Sequence, residues 1–167
     1  MEKLKIQAEP KNLNKIAVTG ATGFIGRCLV KNLALKSCEL RLFSRKNQEG
    51  FETIICDLES DFAIGDAFTD VNTVFHLAGF AHDLRNADKI EHLYRVVNVD
   101  ATIRLLELAA DHRVERFIFV SSVKAGGHSI SGKSMTEEDC AGPGGVYGQT
   151  KREAELKVLE MGRQSGM

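Results

Sequence analysis

The sequence has no excess of either charge: 22 Lys and Arg stand against 23 Asp and Glu in 167 residues. That balance gives no electrostatic reason to expect nucleic acid or an anionic membrane surface as a partner. No apolar stretch approaches the roughly 18 residues of a membrane span. The opening MEKLKIQAEPKNLNK lacks the apolar core of a secretion signal. Cysteine is sparse, and Cys28, Cys38, Cys56 and Cys140 show neither CxxC spacing nor paired histidines. This argues against a zinc site or a disulfide framework and makes a reducing cytoplasm the expected location. Internal repeats, low-complexity tracts and an interdomain linker are missing too, so the length and the 43% hydrophobic content imply one domain around one core. Residues 1–14 read as a flexible leader and 15–167 as the domain.

What is present is glycine at fixed intervals. Residues 19–26 read TGATGFIG, after the apolar run IAV and before RCLVKNLALK, which gives a strand, a glycine turn and a helix over 24–36. The apolar positions Phe24, Cys28, Leu29, Leu33 and Leu35 fall near helical spacing. After the strand at 16–19, further strands are expected at LRLFS (40–44), TIIC (53–56), TVFHLA (73–78) and RFIFVS (116–121). Helices are expected around 86–112, with Val99, Ile103, Leu106 and Ala110 on one face, and after Val146. The stretch 124–145, rich in Gly and Ser, reads as a loop. Alternating strands and helices imply an α/β fold: a doubly wound, mostly parallel Rossmann-type sheet of five strands with helices on both faces.

The glycine turn suits a dinucleotide. Gly20 permits a tight exit from the strand, Gly23 lets the backbone approach a pyrophosphate, and Gly26 allows close packing of the helix. The helix N-terminus adds free N–H groups and a partial positive charge. The second strand ends LFSRK, and Arg45 with Lys46 favours a 2′-phosphate, hence NADP over NAD, unless both are ordinary solvated cations. Asp57, followed by Leu58, can accept from an adenine amino group or serve as a turn cap.

Two later stretches carry chemistry. SSVKAGG follows the fifth strand, and YGQTK comes 25 residues after Ser122. On a helix, Tyr147 and Lys151 share a face. A tyrosine base at neutral pH needs its pKa lowered by about 3 units, and a neighbouring ammonium acts in that direction. Ser122 can hydrogen-bond the same substrate oxygen. Each motif alone has a bland alternative, since YxxxK occurs in many helices and Ser after a strand is an ordinary cap.

With TGATGFIG, CDL, FHLAG, YRVVNVDAT, FVSSVKAGG and YGQTKREAE in order, residues 19 to about 155 resemble the extended short-chain dehydrogenase/reductases. Within them the resemblance is to the NAD-dependent epimerase/dehydratase family and its UDP-glucose 4-epimerase-like branch. It implies NAD(P) as cofactor, with Gly20, Gly23, Phe24, Ile25 and Gly26 along the pyrophosphate and Asp57 and Leu58 beside adenine. Leu77, Ala78 and Gly79 would pass the cofactor ribose, and Asn98 would support the nicotinamide side. Tyr147 would be the base, Lys151 would bind the nicotinamide ribose, and Ser122 would orient a UDP-hexose hydroxyl for oxidation at C4. VKAGG after Ser122 contains no acid, which favours an epimerase or reductase over a dehydratase. His76 reads as a structural histidine at a strand end, and His82 as a surface residue. The resemblance also implies a homodimer through the 98–112 and 147–162 helices. A sixth strand and a C-terminal substrate region would be absent from these residues. A small NADP-dependent reductase of another substrate and a non-catalytic nucleotide-binding module are the alternatives.

Overall fold

The run Ile16, Ala17 and Val18 lies in the middle strand of a sheet, where an all-apolar strand is covered on both faces. This computed structural model describes residues 14–60, 64–81, 87–127, 136 and 142–167. Their elements run β1 (Asn14–Thr19), α1 (Phe24–Leu33), β2 (Cys38–Ser44), β3 (Glu52–Ile55), β4 (Thr73–His76), α2 (Ala87–Arg95), α3 (Ala101–Asp111), β5 (Arg116–Phe119), α4 (Val123–Gly126) and α5 (Gly145–Ser165). A 3-10 turn, Gly65–Phe68, precedes β4, and a π-turn, Val96–Asp100, joins α2 to α3. Cys140, His82 and most of the expected 124–145 loop lie outside the described residues, as do residues 1–13. Among the described residues no helix is long and apolar enough to cross a membrane.

The five strands are all parallel, in the order β3-β2-β1-β4-β5. Alternate residues of each strand serve opposite faces. Ala17, Phe43 and Val74 join Phe68, Leu105 and Ala109 in one cluster, while Val18, Leu40 and Leu42 pack with Val30 of α1 in the other. The expected doubly wound sheet with helices on both faces is therefore what forms. β2 passes to β3 through residues 45–51 without a helix. Parallel neighbours ordinarily need a longer crossover. The four residues of β3 explain the exception, because the chain has only about 13 Å of strand to retrace.

Two helical details differ from the expected pattern. In α1 Gly26 and Val30 are buried and the expected Leu29 and Leu33 pack half-buried against the same core, whereas Phe24 is 85% exposed and Leu35, beyond the helix end, 80% exposed. In α3 the expected face of Val99, Ile103, Leu106 and Ala110 is only partly the buried one. Val99 and Leu106 are fully buried, as are Asn98, Thr102, Leu105 and Ala109, while Ile103 and Ala110 are half-buried at the margin. The buried face is thus wider than the expected stripe, with Asn98, Thr102, Leu105 and Ala109 added beside it.

Candidate functional site

Ligands of open α/β sheets bind beyond the carboxyl ends of the strands, where the order reverses. Here that place lies between β1 and β4. A cavity of about 400 Å³ opens there, walled by Gly20, Thr22 and Gly23 of the glycine turn, Arg45 after β2, Asp57 and Leu58 after β3, and Leu77, Ala78 and Gly79 after β4. Eight of the residues expected from sequence thus meet at one cavity. Phe24, Ile25 and Gly26 are not in its wall, and the Phe24 and Ile25 side chains face solvent.

The turn is built by close approach. Gly20 has φ +69°, and a Cβ on it would lie 2.6 Å from the Ala78 amide nitrogen. A Cβ on Gly26 would lie 2.1 Å from the Gly20 carbonyl oxygen, so this glycine packs the helix against the turn itself. α1 starts after Gly23 without a side-chain cap. Its first N–H groups are thus left to a ligand, and an anion suits that end of a helix. Asp57 lines the cavity, and its Oδ1 accepts from the Glu59 amide at 3.1 Å, a turn bond. The Cys56 thiol beside it is pushed up to about 11, by burial first and by Asp57 second, and remains a neutral wall group.

Lys151 is 3% exposed. Its Nζ donates to the Val120 carbonyl at 2.8 Å and stands 3.8 Å over the Phe119 ring. Burial lowers its pKa to about 8, and the charge of Glu155 opposes that shift. Among the described residues no carboxylate forms a salt bridge with it, and its Nζ would be 4.0 Å from a Cβ on Gly79. A buried ammonium held by one carbonyl and a ring has donor capacity left for a ligand. Tyr147 lies one turn earlier on α5, half-buried, its ring 6.3 Å from that of Tyr94. Tyr94 in turn meets Phe80 edge-on at 4.9 Å.

The serine doublet divides its work. Ser122 is the N-cap of α4, its Oγ accepting from the Lys124 amide at 3.3 Å. The Ser121 Oγ is buried and has no partner among the described residues, an orphaned hydroxyl at the end of β5. Asn98 does not offer its amide to the cavity. Its Oδ1 accepts from the Phe80 amide at 2.7 Å, while Nδ2 donates to the Phe80 carbonyl and to Thr150 Oγ1, each at 3.1 Å. Ser121, Tyr94 and Thr150, which adjoin Ser122, Tyr147 and Asn98, carry no signal in the sequence. Nothing in an SS doublet says which hydroxyl caps, and an aromatic spacer has no spacing signature.

An uncapped helix end, a glycine cradle too tight for any Cβ, an orphaned hydroxyl and a buried ammonium fit a dinucleotide. The fold and site are of the short-chain dehydrogenase/reductase kind. A sequence profile of the NAD dependent epimerase/dehydratase family matches residues 16–167, and the chain belongs to that family. It is 34% identical to a UDP-glucose 4-epimerase of Vibrio cholerae over 161 residues, which covers 91% of this chain and 48% of the relative. A short-chain dehydrogenase/reductase superfamily protein from Agrobacterium tumefaciens, solved with bound NAD, superposes with a TM-score of 0.81 at 31% identity, over 92% of this chain and 47% of the other. MoeE5, solved with UDP-glucose and NAD, gives a TM-score of 0.78 at 33% identity, over 89% and 49% of the two chains. The chain thus spans about half the length of the relatives it matches.

Proposed function

We propose that this chain is the cofactor-binding and catalytic part of an NAD(P)-dependent enzyme that oxidises a UDP-hexose transiently at C4, as an epimerase does. The observation that carries the reading is Lys151: an ammonium buried against its own electrostatic preference, four residues from Tyr147 and beside Gly79 of the cavity wall. Burial of a charge without a carboxylate is expensive and persists where function requires it. The Vibrio relative and MoeE5 support a nucleotide sugar as substrate.

In this reading Gly20, Gly23 and the first turn of α1 bind the pyrophosphate, with Asp57 and Leu58 at adenine and Lys151 at the nicotinamide ribose. A nicotinamide held there would supply the hydride acceptor for the sugar and the donor for its return. Tyr147 Oη takes the proton of the C4 hydroxyl, with the Lys151 ammonium stabilising the phenolate. Ser122 orients that hydroxyl and Ser121 offers a second donor beside it. Arg45, exposed in the cavity wall with Lys46 next to it, supports a 2′-phosphate and so NADP. The solved relatives hold NAD. Free Cys28, Cys38 and Cys56 suit a cytoplasmic site of action.

The test is single-turnover reduction of bound NAD and NADP by UDP-glucose, followed by nicotinamide fluorescence. The wild-type chain is expected to give a reduced-cofactor signal, and Tyr147→Phe to lower its rate at least 100-fold with cofactor affinity unchanged. Equal rates in the two proteins would remove Tyr147 from the reaction.

A further inference from the structure

His76 closes β4 and is fully buried, and the only charge that acts on it among the described residues is that of Lys151. Its ring is tied at both nitrogens: Nδ1 lies 2.5 Å from Thr19 Oγ1 and Nε2 lies 2.9 Å from Thr102 Oγ1. The direction of each bond follows from a count of hydrogens. The single hydrogen of Thr102 Oγ1 goes to the Asn98 carbonyl at 2.8 Å, because a carbonyl can only accept. Thr102 Oγ1 must then accept from His76, so Nε2 carries the ring hydrogen. In a neutral ring Nδ1 is bare, and it accepts from Thr19 Oγ1. That hydroxyl in turn accepts from the Ala78 amide at 3.3 Å.

The result is a one-way line of donors: Ala78 amide, Thr19, His76, Thr102, Asn98 carbonyl. Both ends matter to the site. Ala78 is in the cavity wall and packs on Gly20. Asn98 sits in the π-turn, and its side chain fixes Phe80 and reaches Thr150, whose hydroxyl lies 3.0 Å from the carbonyls of Val146 and Tyr147. The ring also packs 5.7 Å from Phe119, over which the Lys151 ammonium stands. A charged imidazole there would break the line at Thr19 and oppose Lys151.

We propose that His76, as the neutral Nε2–H tautomer, is a positioning residue: through Thr19 it sets the cavity wall at Ala78, and through Thr102 and Asn98 it sets the Phe80 segment and the Tyr147 turn of α5. A histidine that only filled space would need neither a fixed tautomer nor the two hydroxyls. This inference rests on the cofactor reading of the cavity for its affinity arm alone.

The experiment uses the full chain with ¹⁵N-labelled histidine, together with Thr102→Val, which keeps the side-chain shape and removes the hydroxyl, and Thr102→Ser, which restores it. Expected for the wild type at pH 7 is a neutral His76 ring protonated at Nε2. In Thr102→Val the Ala78 and Phe80 amides exchange at least tenfold faster while the Leu42 amide of β2 is unchanged, and NAD affinity falls about tenfold. Thr102→Ser recovers both to within about twofold. A charged ring or an Nδ1–H tautomer overturns the proposal, as do wild-type exchange and affinity in Thr102→Val. If the wild type fails to bind NAD, the cofactor reading falls, and the tautomer and the exchange pattern still decide the role of His76.

Discussion

Lys151 shows how one residue trades stability for a site. Its folded pKa of about 8 lies below the ordinary 10.5, because burial disfavours the charged form. Below pH 8 both folded and unfolded chains carry the proton and the folded state bears the whole penalty. Between pH 8 and 10.5 the folded state sheds the proton first, so stability rises with pH across that window. Lys151→Met should therefore raise stability near pH 7 by about 2 kcal/mol, flatten the rise above pH 8 and weaken NAD binding at least tenfold. Chemical denaturation at pH 7 and pH 10 checks this; a variant less stable than wild type at pH 7 would contradict it. Individual residues were unevenly legible. Gly20, Gly23 and Asp57 could be named from sequence because each sits just beyond a strand end, and Lys151 because it stands four residues after Tyr147 on a helix. The roles of Asn98 and His76 could not, since Thr19 and Thr102 are 57 and 26 positions from His76. The division of labour between Ser121 and Ser122 depends on where α4 starts, which no residue type encodes.

Among the elements, the α4–α5 contact sets where Tyr147 and Ser122 stand. Gly148 makes it possible: a Cβ there would lie 2.4 Å from the Lys124 carbonyl oxygen, and the Gly144 amide already donates to that oxygen at 2.8 Å. Helix propensity alone favours Ala over Gly by about 1 kcal/mol. A backbone clash of this size outweighs it, so Gly148→Ala should lower stability by about 1 to 3 kcal/mol and slow the single turnover more than it weakens NAD binding. Thermal unfolding and calorimetry together check the pair of effects, and a stabilised variant of unchanged rate would refute the contact's role. Strands were legible because buried parallel strands are short apolar runs ended by glycine or polar residues. The π-turn was not, and the buried face of α3 is wider than the stripe that spacing alone marks. The loop that replaces a crossover helix between β2 and β3 was visible only as a short spacing between two apolar runs.

For the whole molecule, α3 and α5 are neighbours on one side of the sheet, and α5 keeps Leu156 at 52% and Leu159 at 54% exposure. Two leucines at i and i+3 form an apolar stripe, which supports the proposed homodimer through the 98–112 and 147–162 segments. Leu156→Lys should then shift the chain from dimer to monomer in light scattering with its circular dichroism unchanged; a wild-type chain that is monomeric at about 100 μM would end that proposal. The fold class and the site's location were legible as a whole because six motifs occur in the order of the elements that carry them. The substrate was not, since the family relatives are about twice as long as this chain.

The central claim is that the cavity at the ends of β1 and β4 holds a nicotinamide dinucleotide. Calorimetric titration of the chain with NAD and with NADP tests it most directly. The account predicts saturable one-to-one binding, with NADP the tighter of the two, kept in Tyr147→Phe and lost in Gly20→Val, whose side chain would run into the Ala78 backbone. Heat of binding absent for both cofactors, or binding that survives Gly20→Val unchanged, would contradict it.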